Sequence, residues 1–150
     1  MFNPQLLKQL KQLGQLAAVV HTQHLIEQEQ ASLARLRRRS ADYLCSYDRL
    51  FRHISIALLR QGYALTSVQP HQTLLRCCAA YLPLDTLSHV IQTRHGLKHG
   101  EQTQPDAVSC VGLAQLLHQY DASDTQAFVC HAHTTFGLII SPSSQTGVFA

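Results

Sequence analysis

Apolar residues recur at helical spacing along most of this chain, and prolines and glycines cut the pattern into lengths that suit a helical bundle. The clearest stretch is Tyr43, Leu44, Tyr47, Leu50, Phe51, Ile54, Leu58 and Leu59, three or four residues apart on one side of a helix. Ser40 or Asp42 can cap its start and Gly62 can end it. An earlier stripe, Leu6, Leu7, Leu10, Leu13, Leu16, Ala17 and Val20, follows Pro4, and Gly14 weakens it without necessarily breaking it. The pattern resumes through Leu25, Ile26, Leu33 and Leu36.

Three further helices follow from the same reading. One starts after Pro70, carries Leu74, Leu75, Cys78 and Leu82, and stops at Pro83. The next begins near Leu84 and Asp85 and runs through Leu87, Val90, Ile91 and Arg94 towards Gly100. The last opens at Pro105 and Asp106, with Val108, Val111, Leu113, Leu116 and Leu117 as its face. Residues 122–136 are ambiguous and 141–150 read as an irregular tail. The expected fold class is all-α, an up-and-down helical bundle of about five to six helices with a long N-terminal helical extension. Residues 1–39 form the extension, 40–121 the bundle, and 122–150 a C-terminal helix or tail.

A chain of 150 residues is one domain's worth and can bury a core. Its charge is unevenly spread. All 12 Lys and Arg lie in the first hundred residues against five acids, a net +7, whereas the last fifty carry four acids and no Lys or Arg. That split points to an anionic partner for the first part. No apolar run approaches the ~18 residues of a membrane helix. Leu16–Val20 is too short for the apolar region of a signal peptide. The five cysteines are odd in number and lack zinc-ribbon spacing. A cytoplasmic protein with buried free thiols is therefore expected, Cys77 and Cys78 acting as packing residues.

The stretch with the most chemistry is Arg94-His95-Gly96-Leu97-Lys98-His99. Arginine supplies a permanent forked cation that suits phosphate, and histidine moves protons near neutral pH. Letters alone carry little, since roughly one or two arginine-then-histidine matches of this kind arise by chance. On a continuous helix, Arg94 and His99 lie ~140° apart around the axis. His95 and His99 share a face, as do Arg94 and Lys98. One copy does not aim Arg94 and His99 at one phosphate, so arginine's reach, fraying around Gly96 and Gly100, or a second subunit would have to bring them together. The same letters also describe an ordinary basic helix end.

Other features have two readings. Arg35, Arg37, Arg38 and Arg39 form either an RNA-binding ridge or a solvated face pairing with Glu27 or Glu29. The pairs His21/His24, His95/His99 and Cys130-His131-Ala132-His133 supply no recognised four-ligand set, so no metal is expected. Tyr43, Tyr47 and Phe51 read as a core or dimer stripe.

The order of these elements resembles the HEPN (higher eukaryotes and prokaryotes nucleotide-binding) domain, especially its small bacterial members. The resemblance covers about residues 40–121. It is carried by Tyr43 to Phe51 and the ending Leu59-Arg-Gln-Gly62-Tyr63, the turn into His71-Gln-Thr-Leu-Leu75, the helix ending Arg94 to His99, and the closing helix Ala107 to Tyr120. It implies a dimeric helical bundle and a metal-independent ribonuclease without a cofactor. The family signature is an arginine, then often Asn, Asp or His, then three to five residues and a histidine, which Arg94, His95 and His99 match. One toxin subgroup has a tyrosine two residues after that histidine; Glu101 stands there, so regulation through such a tyrosine is not implied.

The mechanism this implies is attack by the RNA 2′-hydroxyl, giving a 2′,3′-cyclic phosphate and a 5′-hydroxyl. His99 would act as general base or acid, Arg94 would hold the phosphate, and His95 would carry a second proton or orient its neighbour. Lys98, Arg37, Arg38 and Arg39 would bind RNA. Expected partners are RNA, a second copy of the chain and a cognate antitoxin protein. The alternative is a non-catalytic helical module that binds nucleotides, RNA or a protein.

Overall fold

The centre of the molecule is a helix capped by an aspartate, α3 (Tyr43–Arg60). The Asp42 carboxylate accepts a hydrogen bond from the Cys45 backbone N–H at 2.8 Å, satisfying one of the donors a helix start leaves open. Tyr47, Leu50, Ile54 and Leu58 on this helix are completely buried. In this computed structural model, residues 1–39 and 41–120 are described. Among them the order is α1 (Pro4–Gln12), β1 (Leu16–Ala18), α2 (Gln23–Arg37), α3, β2 (Tyr63–Leu65), α4 (Pro70–Cys77), α5 (Leu84–Lys98) and α6 (Ala107–Tyr120). The expected mostly helical bundle is what forms.

One core runs from Leu7, Leu10 and Leu16 through α3 to Leu74, Leu87, Val90, Leu113 and Leu116. A smaller cluster, Ile26, Leu33, Ile56 and Leu59, joins α2 to α3. The N-terminal segment thus belongs to the same core as the helices that follow it. Phe2 is pinned as well: its N–H donates to Gln61 Oε1 at 2.7 Å and its carbonyl accepts from Gln61 Nε2 at 3.1 Å.

The stripe read across Gly14 is not one helix. Gly14 adopts φ +76°, a left-handed conformation that glycine enters without Cβ strain. Its N–H reaches the Lys11 carbonyl at 3.0 Å and the Gln15 N–H reaches Leu10 at 2.9 Å, closing α1 in a Schellman motif. Beyond it the chain is extended, and β1 pairs antiparallel with β2, Leu16 opposite Leu65 and Ala18 opposite Tyr63. Leu13 and Val20, counted into the apolar stripe, are 59% and 78% exposed. The long N-terminal helical extension is therefore two helices separated by a short strand.

Smaller differences follow the same physics. The helix after Pro70 ends at Cys77, well before Pro83, because a turn closes there with the Tyr81 N–H on the Cys78 carbonyl. Cys45, Cys77 and Cys78 are buried free thiols. Burial pushes the thiols of Cys77 and Cys78 up to about 12, so both are inert packing groups. Cys110 departs from the expectation of free thiols throughout, being disulfide-bonded. Among the described residues no helix is long and apolar enough to cross a membrane. The readings for 122–136, 141–150 and the Cys130–His133 stretch lie outside the described residues.

Candidate functional site

Helix α5 carries the Arg94 stretch, and a polar clasp fixes it against α6. Asp106, just before α6, has Oδ2 2.7 Å from His89 Nε2 and accepts from Thr93 Oγ1 at 3.1 Å through Oδ1. Thr93 Oγ1 is also 2.7 Å from Ser109 Oγ, and the Tyr43 hydroxyl donates to the Val90 carbonyl at 2.8 Å. Burial alone would raise the Asp106 pKa, but hydrogen bonds from Ser109, His89 and Thr93 outweigh it and hold the carboxyl below its ordinary value.

A depressed carboxyl contributes stability that is present above its unfolded pKa and lost as pH falls through the folded one. The clasp should therefore weaken only below about pH 3.8, the ordinary aspartate value. In urea titrations across that range, Asp106→Asn should lower stability at neutral pH and flatten the acid limb. An acid limb identical to wild type would remove Asp106 from this role.

At its far end α5 stays helical to Lys98, with His99 as the cap. Gly100 takes φ +75°, and the Glu101 N–H bonds the Gly96 carbonyl at 2.9 Å. The helix is therefore closed around Gly96 and Gly100, and the angular separation of Arg94 and His99 persists. The Arg94 guanidinium carbon lies 5.0 Å from the centroid of the Tyr47 ring, a cation–π contact. His99 instead faces His95, with ring centroids 4.2 Å apart at an exposed helix end.

The imidazole that shares Tyr47 with Arg94 is one the sequence does not single out for chemistry. Tyr47 Oη is 2.9 Å from Nδ1 of His71, the second residue of α4. The His71 ring also packs against Phe51 at 5.4 Å between centroids. Burial, and then the cations Arg94 and Lys98, keep the His71 pKa below the ordinary imidazole range, while Asp48 opposes them. Burial raises the Tyr47 pKa above its ordinary value despite Arg94, so both partners are neutral near pH 7. With the phenol donating to Nδ1, the buried hydroxyl is satisfied and Nε2 carries the ring proton.

Phe51 and Asp48 also line a groove of about 390 Å³ between α2 and α3, completed by Ser32, Arg35, Leu36, Arg39 and Arg52. Arg52 is largely neutralised there by Glu29, with Nη1 3.1 Å from each carboxylate oxygen. Arg35 donates to Ser32 at 2.9 Å, and Arg39 is exposed. Of the arginines expected to bind RNA, Arg39 lines the groove, whereas the exposed Arg37 and Arg38 do not. A larger hollow of about 760 Å³, lined mainly by Phe2, Leu6, Leu75, Arg76, Tyr81 and Leu84, shares no residue with this cluster.

The site thus joins His71 and Arg94 through Tyr47, with Lys98 one turn beyond Arg94 on α5 and Phe51 leading to the groove. Tyr47 reads from the sequence as part of a packing stripe and does pack; its hydroxyl, which a buried tyrosine must satisfy, is the available signal. His71 has no signal of its own beyond residue type. Among the described residues no group of three or more His, Cys, Asp or Glu side chains is arranged to hold a metal ion. Compared with known protein families, curated proteins and solved structures, the chain matches none.

Proposed function

We propose that this chain is a metal-independent endoribonuclease of HEPN type, of the toxin, defence or stress-response kind, acting as a homodimer. The observation that supports the reading is that Arg94 and His71 both contact Tyr47, with Lys98 one helical turn from Arg94 and Phe51 linking His71 to a groove lined by Arg35 and Arg39. A forked cation, a second cation and a proton-carrying ring are the groups that phosphodiester cleavage requires. Arg94 neutralises charge on the non-bridging oxygens as the 2′-hydroxyl attacks phosphorus. The 2′ oxygen loses its proton as it bonds phosphorus, the bond to the 5′ oxygen breaks, and that oxygen takes up a proton; His99 of a second copy carries one of these two protons and solvent the other. His95, whose ring lies tilted against His99, orients it, while Lys98 and Arg39 hold the RNA backbone. An antitoxin protein would mask this surface.

One observation favours a second reading. Within a chain Arg94 turns to Tyr47 while His99 turns to His95, so a monomer would bind RNA without cutting it. The two readings separate when total RNA is incubated with the purified full chain in the presence of EDTA, beside His99→Ala. Cleavage by wild type alone supports the enzyme and its metal independence. Intact RNA that is nonetheless bound supports the module.

A further inference from the structure

We infer that His71, Arg94 and Lys98 form one phosphate site whose occupancy draws a proton onto His71, with the Tyr47 hydroxyl holding the ring in both states. The inference rests on the reading above only in taking an RNA phosphodiester as the anion. Three elements supply it: α3 gives Tyr47, Asp48 and Phe51, α4 gives His71, and α5 gives Arg94 and Lys98. Tyr47 joins the two halves, since Arg94 lies over its ring and His71 meets its hydroxyl.

Partial burial, and then the cations Arg94 and Lys98, oppose a charged ring, and the exposed Asp48 only partly offsets them. A phosphodiester seated among these groups brings the missing negative charge. It weakens the repulsion from Arg94 and Lys98 and accepts a hydrogen bond from His71. The proton comes from solvent and settles on the imidazole. The phenol permits this without moving heavy atoms: its O–H donates to Nδ1 of the neutral ring, and its oxygen accepts from Nδ1–H of the charged ring. Phe51 packs against the ring and limits its swing.

This makes anion binding pH-dependent through a residue outside the Arg94–His99 stretch. A 2′-O-methyl RNA dinucleotide serves as probe, because it cannot be cleaved and its phosphodiester does not titrate in this range. The full chain should bind it about tenfold more tightly at about pH 5.5 than at about pH 7.5. NMR titration of the histidine rings should show the His71 midpoint moving upward when the dinucleotide is present. His71→Asn, which keeps a polar group near Tyr47, should lose the pH dependence and retain the weaker, high-pH binding.

Tyr47→Phe provides a second route, since it preserves the packed ring under Arg94 and removes only the hydroxyl; the His71 midpoint should then move. Affinity that is flat with pH, or a pH dependence that survives in His71→Asn, would overturn the inference. RNA cleavage lost with pH-linked binding intact would sink the nuclease and leave this site standing. Cleavage retained with flat binding would do the reverse.

Discussion

Arg94→Ala should reduce RNA cleavage about 10²–10³-fold, the loss typical of removing one group that stabilises developing charge on an oxyanion. Two considerations make this a test of chemistry rather than of folding. Arg94 is only half-buried, and what it gives the folded chain is a contact with the Tyr47 ring, of a kind worth ~0.5–1 kcal/mol at exposed sites. Tyr47 itself is held by its burial in the core and by His71. Circular dichroism and the urea midpoint should therefore change little while cleavage collapses. Arg94→Lys sharpens the reading: the charge remains but the planar fork does not, so intermediate activity is expected. Cleavage within about threefold of wild type in Arg94→Ala would remove Arg94 from the reaction.

The largest effect on stability should come from Leu113→Ala in α6. Leu113 has no exposed surface and belongs to the main core, which α3, α5 and α6 build together. Truncating a leucine there removes buried methyl groups and leaves a cavity, costing ~2–5 kcal/mol. Leu13→Ala is the counterpart, because Leu13 is 59% exposed beyond the end of α1 and should change stability by no more than ~0.5 kcal/mol. Paired urea titrations read both numbers. Equal costs would mean that Leu13 lies in an apolar stripe after all and that α1 does not end where Gly14 turns the chain.

That pair also marks the limit of what the sequence can show. Helical period, Asp42, Pro70 and Gly62 are enough for α3 and the start of α4, since each of those boundaries has a local cause that a single residue announces, whereas α4 ends at Cys77 in a turn that Pro83 does not announce. Gly14 is ambiguous because the 3.6-residue period continues across it by coincidence: Leu16 is apolar, but it is buried as a strand residue opposite Leu65. Pairing between residues so far apart leaves no trace in a local pattern. In the candidate site, helix geometry already separates Arg94 and Lys98 from His95 and His99, and the structure keeps that division. What cannot be read is which residues await Arg94. Tyr47 and His71 reach it only through the packing of α3, α4 and α5, and no spacing rule links residues on three helices.

The small ribbon of β1 and β2 also sets an order of events during folding. Leu16 and Leu65 can meet only after the intervening chain has been gathered, and that chain contains the whole of α2 and α3. Closing so long a loop carries an entropic cost that the α2–α3 hairpin can first reduce, because its own contacts are closer along the sequence. The amino-terminal helix should therefore dock late, although it is synthesised first. Until it does, the part of the main core that Leu7 and Leu10 complete stays open to water, and that interval is when a nascent chain would be most exposed to aggregation.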